Sequence, residues 1–388
     1  MARTATIAPV LATALLLRSL ITAVPPAMSA VRAELGLSEA TAGLTVGLPV
    51  VCFGFFAFVA PLLLRRFGAA ATMSIALVVL TAGALVRPLG SVAWLLAGTV
   101  GIGIGAAVGN VLVPVMVRRS RPEDVPRFMG YYTVLLAIGA TVGSLLTGPL
   151  LAAGASWQAV LFGWGVVAAG LSAAWLATAG RGREYRPDPA HREASLAQAV
   201  RQRRTWVIVA YMGLQSAVFY GCITWLPTEL GTAGFPVAEA SLGLALFNAV
   251  GMLSSLYGPR LVAGAHGRLV WAGLVAGYTA GLLLVLAGGA PSWLAVVLIG
   301  LGQGAMFTLA LTFVARTPDP ALVGAVSALA QGASYLIAAA GPSGFGALHT
   351  AFGSWWPVQL AMAGTTLVVG GFGLALIRSD DAARQPYG

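Results

Sequence analysis

Long apolar runs separated by short polar ones order this chain from end to end. A helix that crosses a bilayer needs about 20 mostly apolar residues. Runs near 7–30, 40–64, 70–89, 92–117, 128–153 and 157–179 meet that length. A polar stretch follows, and six further runs lie near 205–229, 238–258, 269–288, 292–315, 321–348 and 355–377. The pattern predicts an all-α membrane protein with twelve transmembrane helices. Its divisions are an N-terminal half (1–179), a central cytoplasmic loop (180–204) and a C-terminal half with a short tail (205–388). Some hairpins are very short, such as Gly154 to Ser156. The first run is too long for a cleavable leader and leads into more spans.

The two halves repeat one another in the same orientation. Ile21-Thr22-Ala23-Val24-Pro25 matches Ile223-Thr224-Trp225-Leu226-Pro227, and Glu39 to Leu44 matches Glu239 to Leu244. The glycine ladder Gly101, Gly103, Gly105 recurs as Gly300, Gly302, Gly304, and Gly148-Pro149 recurs as Gly341-Pro342. Four matches in one order imply two six-helix halves related by a pseudo-two-fold axis along the membrane normal. That plan is one of those used by transporters, which hold substrate between the halves near the midplane. The ladders are flanked by apolar helix with no preceding strand, so they read as close helix contacts and not as a nucleotide loop.

Composition removes the soluble alternatives. Of 388 residues, 58% are hydrophobic and 9% charged, against about 25% charged in soluble domains. All 22 basic residues are arginine, and their placement speaks to topology. With the N-terminus inside, 19 fall on the cytoplasmic side, Arg32 and Arg87 fall outside, and Arg18 lies within a span. Arginine in short loops marks the cytoplasmic face, so both termini and the central loop are expected inside a bacterial inner membrane. The net charge of +10 then reflects topology and anionic lipid headgroups, and no nucleic-acid partner is expected. Cys52 and Cys222 sit in apolar runs, which argues against a disulfide or metal framework.

Arg18 is the first candidate for chemistry, about eleven residues into span 1. A guanidinium at that depth costs at least about 2.5–3.5 kcal/mol and is normally aimed at a cavity or partner. All twelve acidic residues read as lying in loops, tails or span ends, Glu229 and Glu239 included. An unpaired guanidinium facing a water-filled cavity attracts anions, and its planar fork suits oxyanions. The competing reading has Arg18 bind backbone carbonyls or stack on a ring to lock the helices. Aligning the repeats sets Tyr220 opposite Arg18. Gln215, Asn248, Gln303, Gln331 and Tyr335 lie at mid-span depth, with Asn110 nearer the cytoplasm. Each lines the pathway or bonds between helices. Trp225 either closes the extracellular side or belongs to an interfacial belt. His349 reads as a bystander at the outer end of span 11.

Several stretches carry a family resemblance: Leu17 to Pro26, Gly213 to Leu230, Gly300 to Leu311 and Ala330 to His349. With the twelve-span repeat, they resemble the major facilitator superfamily, and within it the cyanate and 2-nitroimidazole porter branch. The superfamily's loop motif between spans 2 and 3 survives only as Arg65-Arg66-Phe67-Gly68. The resemblance implies transport of a small solute such as cyanate or a nitroimidazole by alternating access. With no nucleophile, paired acids or metal cluster at membrane depth, neither an enzyme nor a cofactor or metal is expected. The expected partners are an anionic small molecule and the bilayer, with the protein a monomer.

Overall fold

A computed structural model describes residues 7–120, 125–179, 196–317, 319 and 322–384. Among them the fold is helical throughout, with no strand. The first span is α1 (Ile7–Thr22), a 3-10 turn at Pro25–Ala27 and α2 (Met28–Leu35). Pro25 and Pro26 have no N–H to continue the helical ladder, so the span breaks there where the sequence predicts one run. The N-terminal half continues with α3 (Glu39–Phe67), α4 (Ala69–Val86), α5 (Val92–Ser120), α6 (Val125–Ala152) and α7 (Trp157–Ala179). A short α8 (Leu196–Val200) lies within the stretch expected as loop. The C-terminal half comprises α9 (Arg203–Thr232), α10 (Val237–Val262), α11 (Gly267–Leu284), α12 (Gly289–Ala315), α13 (Val323–Phe352) and α14 (Trp356–Arg384).

Eleven of the twelve long segments are apolar and long enough to cross a membrane. The twelfth, α13, has 30 residues and carries Ser327, Gln331, Ser334, Tyr335 and Ser343 along its length. A helix of that polarity suits a seam between bundles better than a lipid face. Large apolar side chains such as Phe55, Leu62, Leu253, Leu269 and Leu360 point outward, as a lipid-facing surface requires.

The repeat seen in the sequence recurs in the packing. In the first half α1 packs on α6, α3 and α4 on α5, and α4 on α7. In the second, α9 packs on α13, α10 and α11 on α12, and α11 on α14. Two seams join the halves, α3 against α13 and α6 against α10.

Small residues make these contacts possible, since lipid gives helices no hydrophobic reason to associate. A Cβ on Gly83 would lie 2.6 Å from the Gly98 carbonyl oxygen, so α4 and α5 touch backbone to backbone. Gly83→Ala is expected to destabilise the fold by about 1–3 kcal/mol, read as a lower unfolding temperature in detergent. Gly68, at φ 83°, joins α3 to α4 as a single residue, a conformation that glycine adopts without strain.

Arg87, expected in an outer loop, is instead 1% exposed. It caps α4 and donates from Nη1 to the Leu20 carbonyl of α1 at 2.8 Å. Arg18 is therefore not the only arginine inside the bundle.

Candidate functional site

Arg18 stands one turn before the break that ends α1. Its helix is fixed from the α6 side, where Gly139 and Gly143 meet the backbone of Leu15 and Ser19. Thr22 Oγ1 donates to the Ala140 carbonyl at 2.8 Å. With its neighbours docked on α6, Arg18 turns toward the centre and is half-buried.

Aromatic residues surround it from three helices. Its guanidinium lies beside the Tyr220 hydroxyl of α9 and within electrostatic range of Tyr335 on α13 and Tyr132 on α6. Arg18 Cζ lies 5.8 Å from the Phe219 ring centroid, within the range of a cation–π contact. The Tyr132 hydroxyl donates to Asn110 Oδ1 of α5 at 2.5 Å. Tyr335 meets the edge of Phe53 on α3, with centroids 5.7 Å apart. Arg18 makes no ion pair among the described residues. A tyrosine hydroxyl that accepts from a guanidinium keeps its own proton free for another acceptor. The centre thus presents one cation, its remaining N–H groups and hydroxyl donors.

The structure brings together Arg18, Tyr220 and Tyr335, and ties Asn110 to them through Tyr132. The other candidates are placed differently. Gln215 Nε2 bonds Gln303 Oε1 at 2.5 Å in a buried pair between α9 and α12. Asn248 bonds its own helix at the Leu244 carbonyl. Gln331, half-buried one turn from Tyr335, bonds Ser327 Oγ at 3.1 Å. Trp225 is fully buried, donates to the Pro342 carbonyl at 2.8 Å and packs on Trp355.

Sequence reasoning missed Tyr132 and Phe219. Tyr132 follows Tyr131 near a span end, where an aromatic reads as interfacial. Phe219 adjoins Tyr220, and residues one apart do not share a helical face. Two expectations need correcting. Glu229 is not at a hydrated span end but 2% exposed within α9, because α14 covers that end of the helix.

His349, expected as a bystander, pairs through Nδ1 with Glu39 Oε2 across the α3–α13 seam. Thr350 Oγ1 donates to the same oxygen at 3.1 Å, and Arg32 Nη1 holds Glu39 Oε1 at 3.0 Å. The His349 ring stacks on Trp355 at 4.0 Å. This cluster fastens the two halves at their arginine-poor end. Charge-assisted bonds are worth about 1.5–3 kcal/mol, and 1.4 kcal/mol is tenfold. Glu39→Gln is therefore expected to raise labelling of Ser343→Cys by an impermeant maleimide about tenfold. The background for that measurement is Cys52→Ser, Cys222→Ser.

Two repeated six-helix bundles, joined along two seams around a polar centre, define a multi-pass membrane transporter for a small solute. The family follows from comparison with known proteins. The model of the Major Facilitator Superfamily matches residues 10–342, and the chain belongs to that family. It is 33% identical to the uncharacterized transporter YycB of Bacillus subtilis (strain 168), over 92% of this chain and 89% of that protein. It is 31% identical to the 2-nitroimidazole transporter of Escherichia coli (strain K12), over 97% and 96%. The cyanate transport protein CynX of the same strain is 26% identical, over 87% and 88%. Among solved structures, a bacterial homologue of the lysosomal transporter Spinster, inward-facing and unoccupied, superposes with a TM-score of 0.78. That match has 17% identity and covers 97% of both chains.

Proposed function

We propose that this protein carries a small monoanion, such as cyanate or a similar oxyanion, through the bilayer by alternating access, with Arg18 as the charge that holds it. One observation carries this reading: a half-buried guanidinium ringed by Tyr220, Tyr335, Tyr132 and Phe219, with no carboxylate against it among the described residues. A bound anion would accept from Arg18 and from the Tyr220 and Tyr335 hydroxyls, while Asn110 orients Tyr132. Gln331 lines the path below Tyr335, and Trp225 caps it. Gln215, Gln303 and Asn248 act at one remove by setting the pitch of α9, α10 and α12.

A second reading is export of nitroimidazole-like aromatic compounds, favoured by the 31% identical relative and the aromatic walls. The two share chemistry, because a nitro group offers a planar pair of oxygens to the same donors.

The arginine-poor end, closed by Glu39 and His349, faces outward in this reading. The termini and the 180–204 loop lie in the cytoplasm, and the protein works as a monomer in a bacterial inner membrane. Proteoliposome uptake of radiolabelled cyanate, nitrate, 2-nitroimidazole and glucose tests the assignment. Saturable uptake of the anions is expected, with glucose excluded. Uptake of 2-nitroimidazole alone would favour the second reading, and saturable glucose uptake would contradict both.

A further inference from the structure

Polar side chains from three helices are buried together in the C-terminal bundle, away from Arg18, and several of their polar atoms lack a well-formed hydrogen bond. Glu229 of α9 leaves its carboxyl Oε1 without a hydrogen-bond partner. Gln359 of α14, 1% exposed, lies against that carboxyl as its one polar neighbour, and its amide makes no other hydrogen bond. Tyr278 of α11 is equally buried, its hydroxyl unpartnered beside Cys222 of α9. The Trp355 indole N–H is unpartnered as well. Cys222 and Glu229 are seven residues apart and Trp355 and Gln359 four, so each pair lies on one helical face.

Native interiors hold few such orphaned groups, and here a carboxyl oxygen and the amide beside it are both among them. Among the described residues, no charged side chain acts on Glu229 from α3, α8, α10, α12, α13, α14 or the two 3-10 turns, the elements packed on α9. The titratable group within electrostatic range of it is Cys222, with Tyr278 next to Cys222 in turn. His349 lies beyond, stacked on Trp355 and engaged with Glu39. A buried carboxylate with no cation beside it is costly. The same group carrying a proton is uncharged and can donate to the Gln359 amide oxygen. The occupant that this chemistry suits is a proton.

A cleft ends close to it. A cleft of about 270 Å³ at the arginine-poor end is lined by Thr232, His349, Trp355 and Trp356, among others. Thr232 lies one turn beyond Glu229 and donates to its backbone carbonyl at 2.7 Å. In the other direction, Tyr220 lies nine residues back along the same helix, about 13 Å at 1.5 Å per residue. A movement of α9 that hydrates Glu229 therefore also moves Tyr220 at the central site.

We infer that Glu229 is a proton-binding site, reached through this cleft, and that its proton is taken up and released once in each transport cycle. The proton passes from water to a carboxylate oxygen and later returns to water, with no other bond made or broken. The inference rests on the transporter reading above and adds its coupling ion.

Proteoliposomes loaded with cyanate, and in parallel with 2-nitroimidazole, test it with and without an imposed pH gradient. The gradient is expected to drive net movement by the wild type. Glu229→Gln should keep substrate counterflow and lose the gradient's effect altogether. Gln359→Leu, which leaves the carboxyl but removes its partner, should weaken that effect several-fold. Wild-type flux that ignores the gradient would overturn the inference, whatever the folding of the variants. So would a Glu229→Gln protein that responds as the wild type does. Absence of wild-type counterflow would overturn the transporter reading and this inference with it.

Discussion

Arg18→Gln is expected to raise the half-saturating concentration for a small anion about ten- to a hundredfold while the protein still folds. A hydrogen bond to a charged group is worth about 1.5–3 kcal/mol, and each 1.4 kcal/mol is tenfold. Folding should survive because Arg18 makes no ion pair among the described residues, so no opposite charge is stranded. Glutamine keeps a polar head at the half-buried position and can still reach Tyr220. Arg18→Lys should fall between the two, since an ammonium keeps the charge but loses the planar fork. A neutral nitroheterocycle should lose less, because its bond to Arg18 involves one charged partner instead of two. Counterflow kinetics for both solutes on the three proteins would measure the split.

Gly43→Val is expected to slow transport at least about tenfold by wedging the halves apart. A Cβ there would lie 2.6 Å from the carbonyl carbon and oxygen of Pro342 and 2.7 Å from Ser343 Cα. Both sides of the contact are backbone, so no side chain can swing aside. Overpacking of this kind costs about 1–3 kcal/mol, and here the cost falls only on the state in which this end is shut. The population moves toward the opposite state and the cycle stalls. Gly344→Val is the control, because a Cβ at Gly344 meets nothing within 4 Å and transport should be unchanged. Increased labelling of Ser343→Cys in the Gly43→Val protein alone would tie the effect to the seam.

Much of this fold was legible because a bilayer imposes length and polarity on each span. The twelve runs and the repeat follow from that constraint, and the repeat alone set Tyr220 against Arg18. Properties that depend on which helix covers which face were not legible. Glu229 looks like a hydrated span end until α14 lies over it, and Arg87 looks like a loop residue until it caps α4 against α1. His349 and Glu39 are 310 positions apart and meet only because α3 and α13 share a seam. Tyr132 joins the centre from α6 through Asn110, a pairing between two helices that no local pattern encodes. Gln215 and Gln303 have the depth of site residues, yet they satisfy each other.

The central claim is that Arg18 holds the transported solute. The direct measurement is ligand-induced thermal stabilisation of the purified protein by cyanate, compared between wild type and Arg18→Gln. A ligand that binds the folded state adds about 2.7 kcal/mol at a hundred times its dissociation constant. The wild type should therefore unfold at a higher temperature as cyanate rises, and Arg18→Gln should show a shift no more than about half as large over the same range. Equal stabilisation of the two proteins would contradict the account.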